Sequence, residues 1–444
     1  MRAILSSLII LILCCSSPTF GEDDNKKQEI YKNLEAFSNV LSLMEQYYVD
    51  EIDTTEVING AINGMLTSLD PHSTYMQPDD YKELQNETKG TFTGIGIEIA
   101  VRNDILTVVA PIEGTPAHTA GIMAGDQIIR IEGEPTKNMT MIDAVKKIRG
   151  RKGSSITITI HRPGVQELKD VTLERDVIPL HSVKSYELGP GIFTVRITNF
   201  QANTSNDLQK ILDDIEGKKE IAGLVLDLRD NPGGLLDQAV RVSDIFLDGG
   251  VIVSTKGRDP QQDVIYTAHK NKRNYSFPII ALVNGGSASA SEIVAGALQD
   301  HRRAIIMGTV TFGKGSVQTI IPMPDGAGLR LTTARYYTPS GDSIQATGIK
   351  PDVVVDFEPY IEKEQKNGEL SLREKDLPNH FTNHDESEDK KKDDAKPGPE
   401  NTETSEEDVA KKLQRDNQMR TALIILKSLR IAAMAKETQL PKTP

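Results

Sequence analysis

The sequence predicts a multi-domain α/β protein: a layered α/β core, a smaller mixed α+β unit inserted ahead of it, and helical segments at both ends. Three observations predict it. From about residue 177 strand-like and helix-like stretches alternate, the pattern of a largely parallel sheet flanked by helices. Residues 90–176 instead place short strands between glycine turns around one short helix. Apolar residues recur at helical spacing near both termini.

In chain order, residues 28–48 carry Ile30, Leu34, Phe37, Leu41, Met44 and Tyr48 at steps of four and three, one apolar stripe on a helix. A second amphipathic helix carries Val57, Ile58, Ala61, Ile62, Met65 and Leu66. These helices of a 22–89 region are too small to form a core alone, so they pack on the body or against another subunit. Within 90–176, strands are expected at 91–100, 106–110, 127–131 and 155–162, a helical turn at 117–124 and a helix at 140–149. In the core at 177–360, strands are expected at 192–197, 223–228, 251–255, 278–283, 303–307, 316–321 and 329–337. Helices are expected near 204–216, 235–247 and 289–300. Residues 361–408 are rich in Glu, Asp, Lys, Asn, Ser and Pro and cannot bury enough apolar surface to order, so a disordered linker is expected there. Leu413, Met419, Leu423, Leu426 and Leu429 then restore helical spacing in a C-terminal helix at 409–444.

The first 21 residues read as a secretory signal: Arg2, an apolar run at 4–13, then Ser16, Ser17 and Pro18, with cleavage near Gly21. The run is too short to span a bilayer, which takes about 20 apolar residues. Cys14 and Cys15 raise the alternative of a lipoprotein and membrane association, although Leu13 is bulkier than such a site prefers. Both cysteines fall in or beside this segment, so the mature chain would carry no disulfide and no thiolate site. Eight histidines without ligand spacing give no metal site, and no cofactor is expected. The net charge of −13 argues against nucleic acid as a partner, because phosphate binding needs clustered Lys and Arg.

The chemistry concentrates in two loops. A buried strand at 278–283 runs into Asn284-Gly285-Gly286-Ser287-Ala288-Ser289-Ala290-Ser291-Glu292 and then a helix. A serine at such a junction sits where unpaired helix N–H groups can stabilise an oxyanion. Ser289 and Glu292 also have capping-box spacing, so Ser289 could simply cap the helix. The next strand leads to Thr311-Phe312-Gly313-Lys314-Gly315-Ser316-Val317-Gln318. A lysine flanked by glycines can serve as a base once desolvation brings it down from its reference value of about 10.4. Gly308 to Lys314 also opens like a phosphate-binding loop, but Gly315 stands where Ser or Thr would hold magnesium, and a strand follows instead of a helix.

These two runs, with Leu226-Asp227-Leu228-Arg229-Asp230-Asn231-Pro232-Gly233-Gly234-Leu235 and Leu69-Asp70-Pro71-His72-Ser73-Thr74-Tyr75, resemble the carboxyl-terminal processing peptidases, or tail-specific proteases, over roughly residues 30–360. The resemblance implies a crotonase/ClpP-like layered core, Ser289 as nucleophile, Lys314 as base, and Gln318 positioning the lysine. It also implies an oxyanion hole from the N–H groups of Ala290 and of either Gly233 or Gly234. The family carries a PDZ domain, which residues 90–176 resemble: Thr93-Gly94-Ile95-Gly96-Ile97 matches its carboxylate-binding loop, supported by Ala120-Gly121-Ile122 and Gly125-Asp126. Gly94, Ile95, Gly96 and Ile97 are thus the peptide-binding candidates.

The expected function is an exported serine endopeptidase of the bacterial periplasm or cell envelope that captures protein C-terminal tails and cuts near them. Expected partners are such tails, an adaptor protein, and further copies of the chain joined through the terminal helices. The alternatives are a non-catalytic PDZ scaffold and a crotonase-like acyl-transfer enzyme.

Overall fold

The computed structural model describes residues 21–102, 105–137, 139–270, 273, 275–358 and 406–439. The signal segment expected before Gly21, with Cys14 and Cys15, and the linker expected at 361–408 up to residue 405 lie outside the described residues, whereas its last three residues open the helix Glu406–Arg415. The chain divides into two compact units, Met1–Gln77 with Ile320–Leu331, and Pro78–Thr319 with Thr332–Pro444.

The first unit holds the helices Gly21–Tyr47 and Thr54–Thr67. Asp53 caps the second by accepting the Thr55 and Glu56 N–H groups. Ile30, Leu34, Phe37 and Met44 stay exposed on the first helix. The Leu69-to-Tyr75 motif is a turn built on Asp70, whose carboxylate accepts His72 N–H at 2.7 Å, Ser73 N–H at 2.9 Å and the Ser73 hydroxyl at 2.7 Å. It leads into the strand Thr74–Met76, antiparallel to Gly328–Arg330.

The second unit is centred on a six-stranded sheet in the order Val183–Gly189, Ile192–Ile197, Gly223–Asp227, Ile279–Val283, Ala304–Gly308, Val353–Val354. The first pair is antiparallel and the remaining four pairs are parallel. Both faces are apolar, as a helix-covered parallel sheet requires. Val195, Leu224, Leu226 and Ala281 face the helices Thr204–Glu216, Leu236–Phe246 and Ala290–Asp300. Val225, Ile280, Leu282 and Met307 meet Met419, Leu423 and Leu426 of the helix Asn417–Gln439. The single C-terminal helix of the sequence reading is two, Glu406–Arg415 and Asn417–Gln439. The break comes at Asp416, whose carboxylate accepts Met419 N–H at 2.8 Å and pairs with the buried Arg229 at 2.8 Å.

The inserted module has a six-stranded antiparallel sheet around Ile128, Ile131, Ile156 and Ile158. The strand expected at 91–100 is two, Thr91–Gly94 and Ile97–Arg102. At the break Gly96 has φ 78°, and a Cβ there would fall 2.3 Å from that of Thr115, so the crossing needs glycine. The turn expected at 117–124 is the short helix Pro116–Thr119. Strands Leu168–Glu174 and Asp176–Pro179 escaped the sequence reading because charged residues interrupt their alternation. Thr91–Gly94 pairs with Asp176–Pro179 in antiparallel register, so the chain enters and leaves the module through a two-stranded neck.

Candidate active site

Ser289 follows the buried strand Ile279–Val283 and precedes the helix Ala290–Asp300. It is buried and held at φ 55° and ψ −111°, a conformation rare for a residue with a side chain. Its neighbours impose it. The Ser287 hydroxyl donates to Leu228 O at 2.8 Å, Ala288 N–H to Asn231 O at 2.9 Å, and the Ser291 hydroxyl to the same Asn231 O at 2.9 Å. The outer two serines are therefore tied to the 228–231 turn. The middle serine faces Tyr336, whose phenol burial pushes above its ordinary pKa.

Glu292 lies one turn into the helix and is fully buried. Its Oε2 accepts Ser289 N–H at 2.7 Å, the side-chain half of the capping box that the spacing foreshadows. The same Oε2 accepts Lys314 N–H at 2.9 Å, while Oε1 accepts Gly313 N–H at 2.7 Å and the Thr311 hydroxyl at 2.5 Å. One carboxylate thus brings the backbones of Ser289 and Lys314 together. Phe312 N–H donates to Ser287 O at 3.0 Å and closes the two loops further. Lys314 is half-buried. Gln318 is half-buried too, and its Nε2 donates to Ser316 Oγ at 2.9 Å and, more weakly, to Thr332 Oγ1 at 3.4 Å.

Ala290 is the first residue of its helix, where N–H groups lack intrahelical partners. Gly233 abuts Ser289: a Cβ there would lie 2.8 Å from that of Ser289 and 3.0 Å from Ala290 N. Its N–H donates to Asn231 Oδ1 at 2.9 Å. Gly234 turns to Phe200 instead, where a Cβ would lie 2.2 Å from the carbonyl oxygen. In the inserted module Ile95 is fully buried in the core, Ile97 packs partly against it, and Gly94 meets the Phe92 ring. A cavity of about 550 Å³ lined by Phe246, Tyr275, His301 and Arg303 contains none of these residues. The Arg303 guanidinium there is spent on the carbonyls of Phe246, Tyr275 and Phe277.

Sequence reasoning missed Tyr336, Asn231 and the second role of Glu292. The spacing to Ser289 reveals Glu292 as a cap, but nothing local announces its bonds to residues 19 to 22 positions downstream.

Known proteins give the arrangement a context. Residues 191–355 match the model of peptidase family S41, 15–80 that of the N-terminal domain of the activating protease CtpB, and 107–162 that of a PDZ domain. The PDZ match starts downstream of Gly94 to Ile97. A carboxy-terminal-processing protease of Bartonella bacilliformis is 48% identical over 366 residues, 82% of this chain and 84% of that protein. The carboxy-terminal processing protease CtpA of Bacillus subtilis is 34% identical over 360 residues, 81% of this chain and 76% of that one. Among solved structures, the photosystem II D1 C-terminal processing protease is 32% identical with a TM-score of 0.43, covering 72% of this chain and 92% of that one.

Proposed function

The chain belongs to peptidase family S41, among the carboxy-terminal processing proteases with a PDZ domain, and from that premise we propose that it is an exported endopeptidase using Ser289 as nucleophile and Lys314 as base. The observation that carries this reading is the Glu292 carboxylate, which holds the Ser289 and Lys314 backbones on one oxygen. Support also comes from the strained backbone of Ser289 and from the outer serines, whose hydroxyls are committed elsewhere.

In this reading the Ser289 oxygen attacks the scissile carbonyl and its proton passes to the neutral amine of Lys314. Negative charge develops on the carbonyl oxygen, against Ala290 N–H at the helix start and a glycine N–H of the 233–234 turn. Collapse expels the amine, which takes the proton from Lys314. Water then cleaves the acyl-enzyme by the same two groups. Gln318 spends its amide nitrogen on Ser316, which leaves the carbonyl oxygen as an acceptor able to orient the lysine amine. No step asks for a metal or an organic cofactor.

The PDZ module would hold a substrate's C-terminal tail through Gly94 to Ile97 and raise its local concentration beside the dyad. The apolar stripe of Ile30, Leu34, Phe37 and Met44 would join copies of the chain or receive an adaptor protein. The signal-like pattern of residues 1–21 supports export to the bacterial envelope.

Hydrolysis of an unfolded protein with a free C-terminal tail tests the reading. Ser289→Ala and Lys314→Ala should each abolish cleavage with the fold intact. Wild-type rates in the serine variant would remove the peptidase assignment, and in the lysine variant the base.

A further inference from the structure

A helix cap needs only its own helix. Glu292 does more: one of its four hydrogen bonds goes to the helix start and three go to Thr311, Gly313 and Lys314. A carboxylate offers about four lone-pair sites. Here they are occupied by three backbone N–H groups and one hydroxyl, in a fully buried position. Thr311 extends the link, since its hydroxyl also accepts Ile349 N–H at 2.7 Å. The loop bearing Lys314 is therefore pinned to the nucleophile's helix at one end and to the Ile349 segment at the other.

We propose that Glu292 is a positioning residue for peptide hydrolysis, its carboxylate fixing the separation between the Ser289 hydroxyl and the Lys314 amine by holding both backbones at once. The proposal rests on the reading of Ser289 as nucleophile and Lys314 as base. An acid is required at 292, and an amide will not serve. Glutamine has the same shape, but its NH2 would face donors on one side: Lys314 and Ser289 N–H, or Gly313 N–H. The loop would then draw away, and a shift of about 1 Å between reacting groups costs on the order of 10²-fold in rate.

The experiment is a double-mutant cycle in the full chain, comparing wild type, Glu292→Gln, Lys314→Ala and the double variant. The readouts are kcat and KM on an unfolded protein substrate, the labelling rate of Ser289 by a fluorophosphonate, and the thermal midpoint. Glu292→Gln should lower kcat and labelling on the order of 10²-fold with KM changed less than about threefold. Lys314→Ala should cost far less in the Glu292→Gln background than in wild type, because residues acting as one unit are not additive. Multiplying losses, or a Glu292→Gln enzyme with wild-type kcat, overturn the proposal. If Lys314→Ala alone leaves kcat unchanged, the base assignment itself fails, and the proposal with it. Should Glu292→Gln not fold, Thr311→Val carries the test: it removes one hydroxyl from the clamp and should slow labelling roughly tenfold. A wild-type rate there overturns the proposal.

Discussion

The N–H groups of Ser289 and Lys314 converge on a single oxygen, Glu292 Oε2, at 2.7 and 2.9 Å. Both donors are backbone N–H groups, so the convergence exists before any substrate arrives and depends on no rotamer of Ser289 or Lys314. Electrostatic catalysis draws its advantage from groups that need no reorganisation at the moment of reaction. In this chain the turn at 228–234 completes the same frame, because Asn231 O takes both Ala288 N–H and the Ser291 hydroxyl.

The two glycines of that turn should fail differently when altered. In Gly233→Ala the new Cβ meets that of Ser289 at 2.8 Å, on a backbone with φ 104°. Hydrolysis should fall by about 10²-fold or more while the fold survives, since the displacement lands on the proposed nucleophile, Ser289. In Gly234→Ala the clash is with the Phe200 carbonyl at 2.2 Å, within the bridge between Phe200 and Gly234. The main effect should be a loss of stability of a few kcal/mol, from strain and a disrupted turn. Parallel thermal melts and cleavage assays separate the two outcomes. A fully active Gly233→Ala enzyme would show that the turn does not approach the serine as described.

Much of this architecture was legible from local pattern. Strand Ile192–Ile197 and helix Thr204–Glu216 fall on the residues that periodicity assigns, because apolar alternation and helical spacing are local properties. The break between Gly94 and Ile97 was not legible, since it comes from the approach of Thr115, distant in sequence. Strand Leu168–Glu174 was missed because only Val171 and Leu173 turn inward. In the site, the serine and lysine loops stood out by their glycines. Tyr336 lies in a strand whose pattern reads as ordinary, and only folding brings its phenol to Ser289.

Asp126, one of the module's sequence signatures, should make the stability of that module depend on pH. Its carboxylate is 1% exposed and accepts Arg162 Nε at 2.7 Å, Arg162 Nη2 at 2.8 Å and Met123 N–H at 2.9 Å. Burial alone would raise its pKa, but the Arg162 guanidinium and the Met123 N–H together hold it below the usual value. A carboxyl depressed in the folded state stabilises fully above its unfolded pKa, and that contribution is lost as pH falls through the folded value. Asp126→Asn should therefore cost about 1–2 kcal/mol near neutrality, where a buried carboxylate loses its charged hydrogen bonds to the partly exposed Arg162. Hydrogen exchange in the strand Gln127–Ile131 of the full chain would measure it. The gap between variant and wild type should shrink between about pH 5 and about pH 3. A gap that stays constant over that range would mean that the carboxylate's charge contributes nothing.

The neck makes the module removable, which separates capture from cutting. Thr91 lies opposite Pro179 and Gly94 opposite Asp176, so the entering and leaving strands are neighbours about 5 Å apart. Gly90 O also accepts Leu180 N–H at 2.8 Å, just outside the last paired residues. Excising residues 91–179 and joining Gly90 to Leu180 through a short glycine link should leave the core sheet intact, because the module has its own apolar core around Ile128, Ile131, Ile156 and Ile158. The shortened enzyme should still label at Ser289 with a fluorophosphonate. It should lose its preference among substrates that differ only in their last residues, because the effective concentration supplied by tail capture is gone. Competition between two such substrates, before and after excision, reads this directly. An unchanged preference would assign tail selection to the core around Ser289 and take it from the PDZ module.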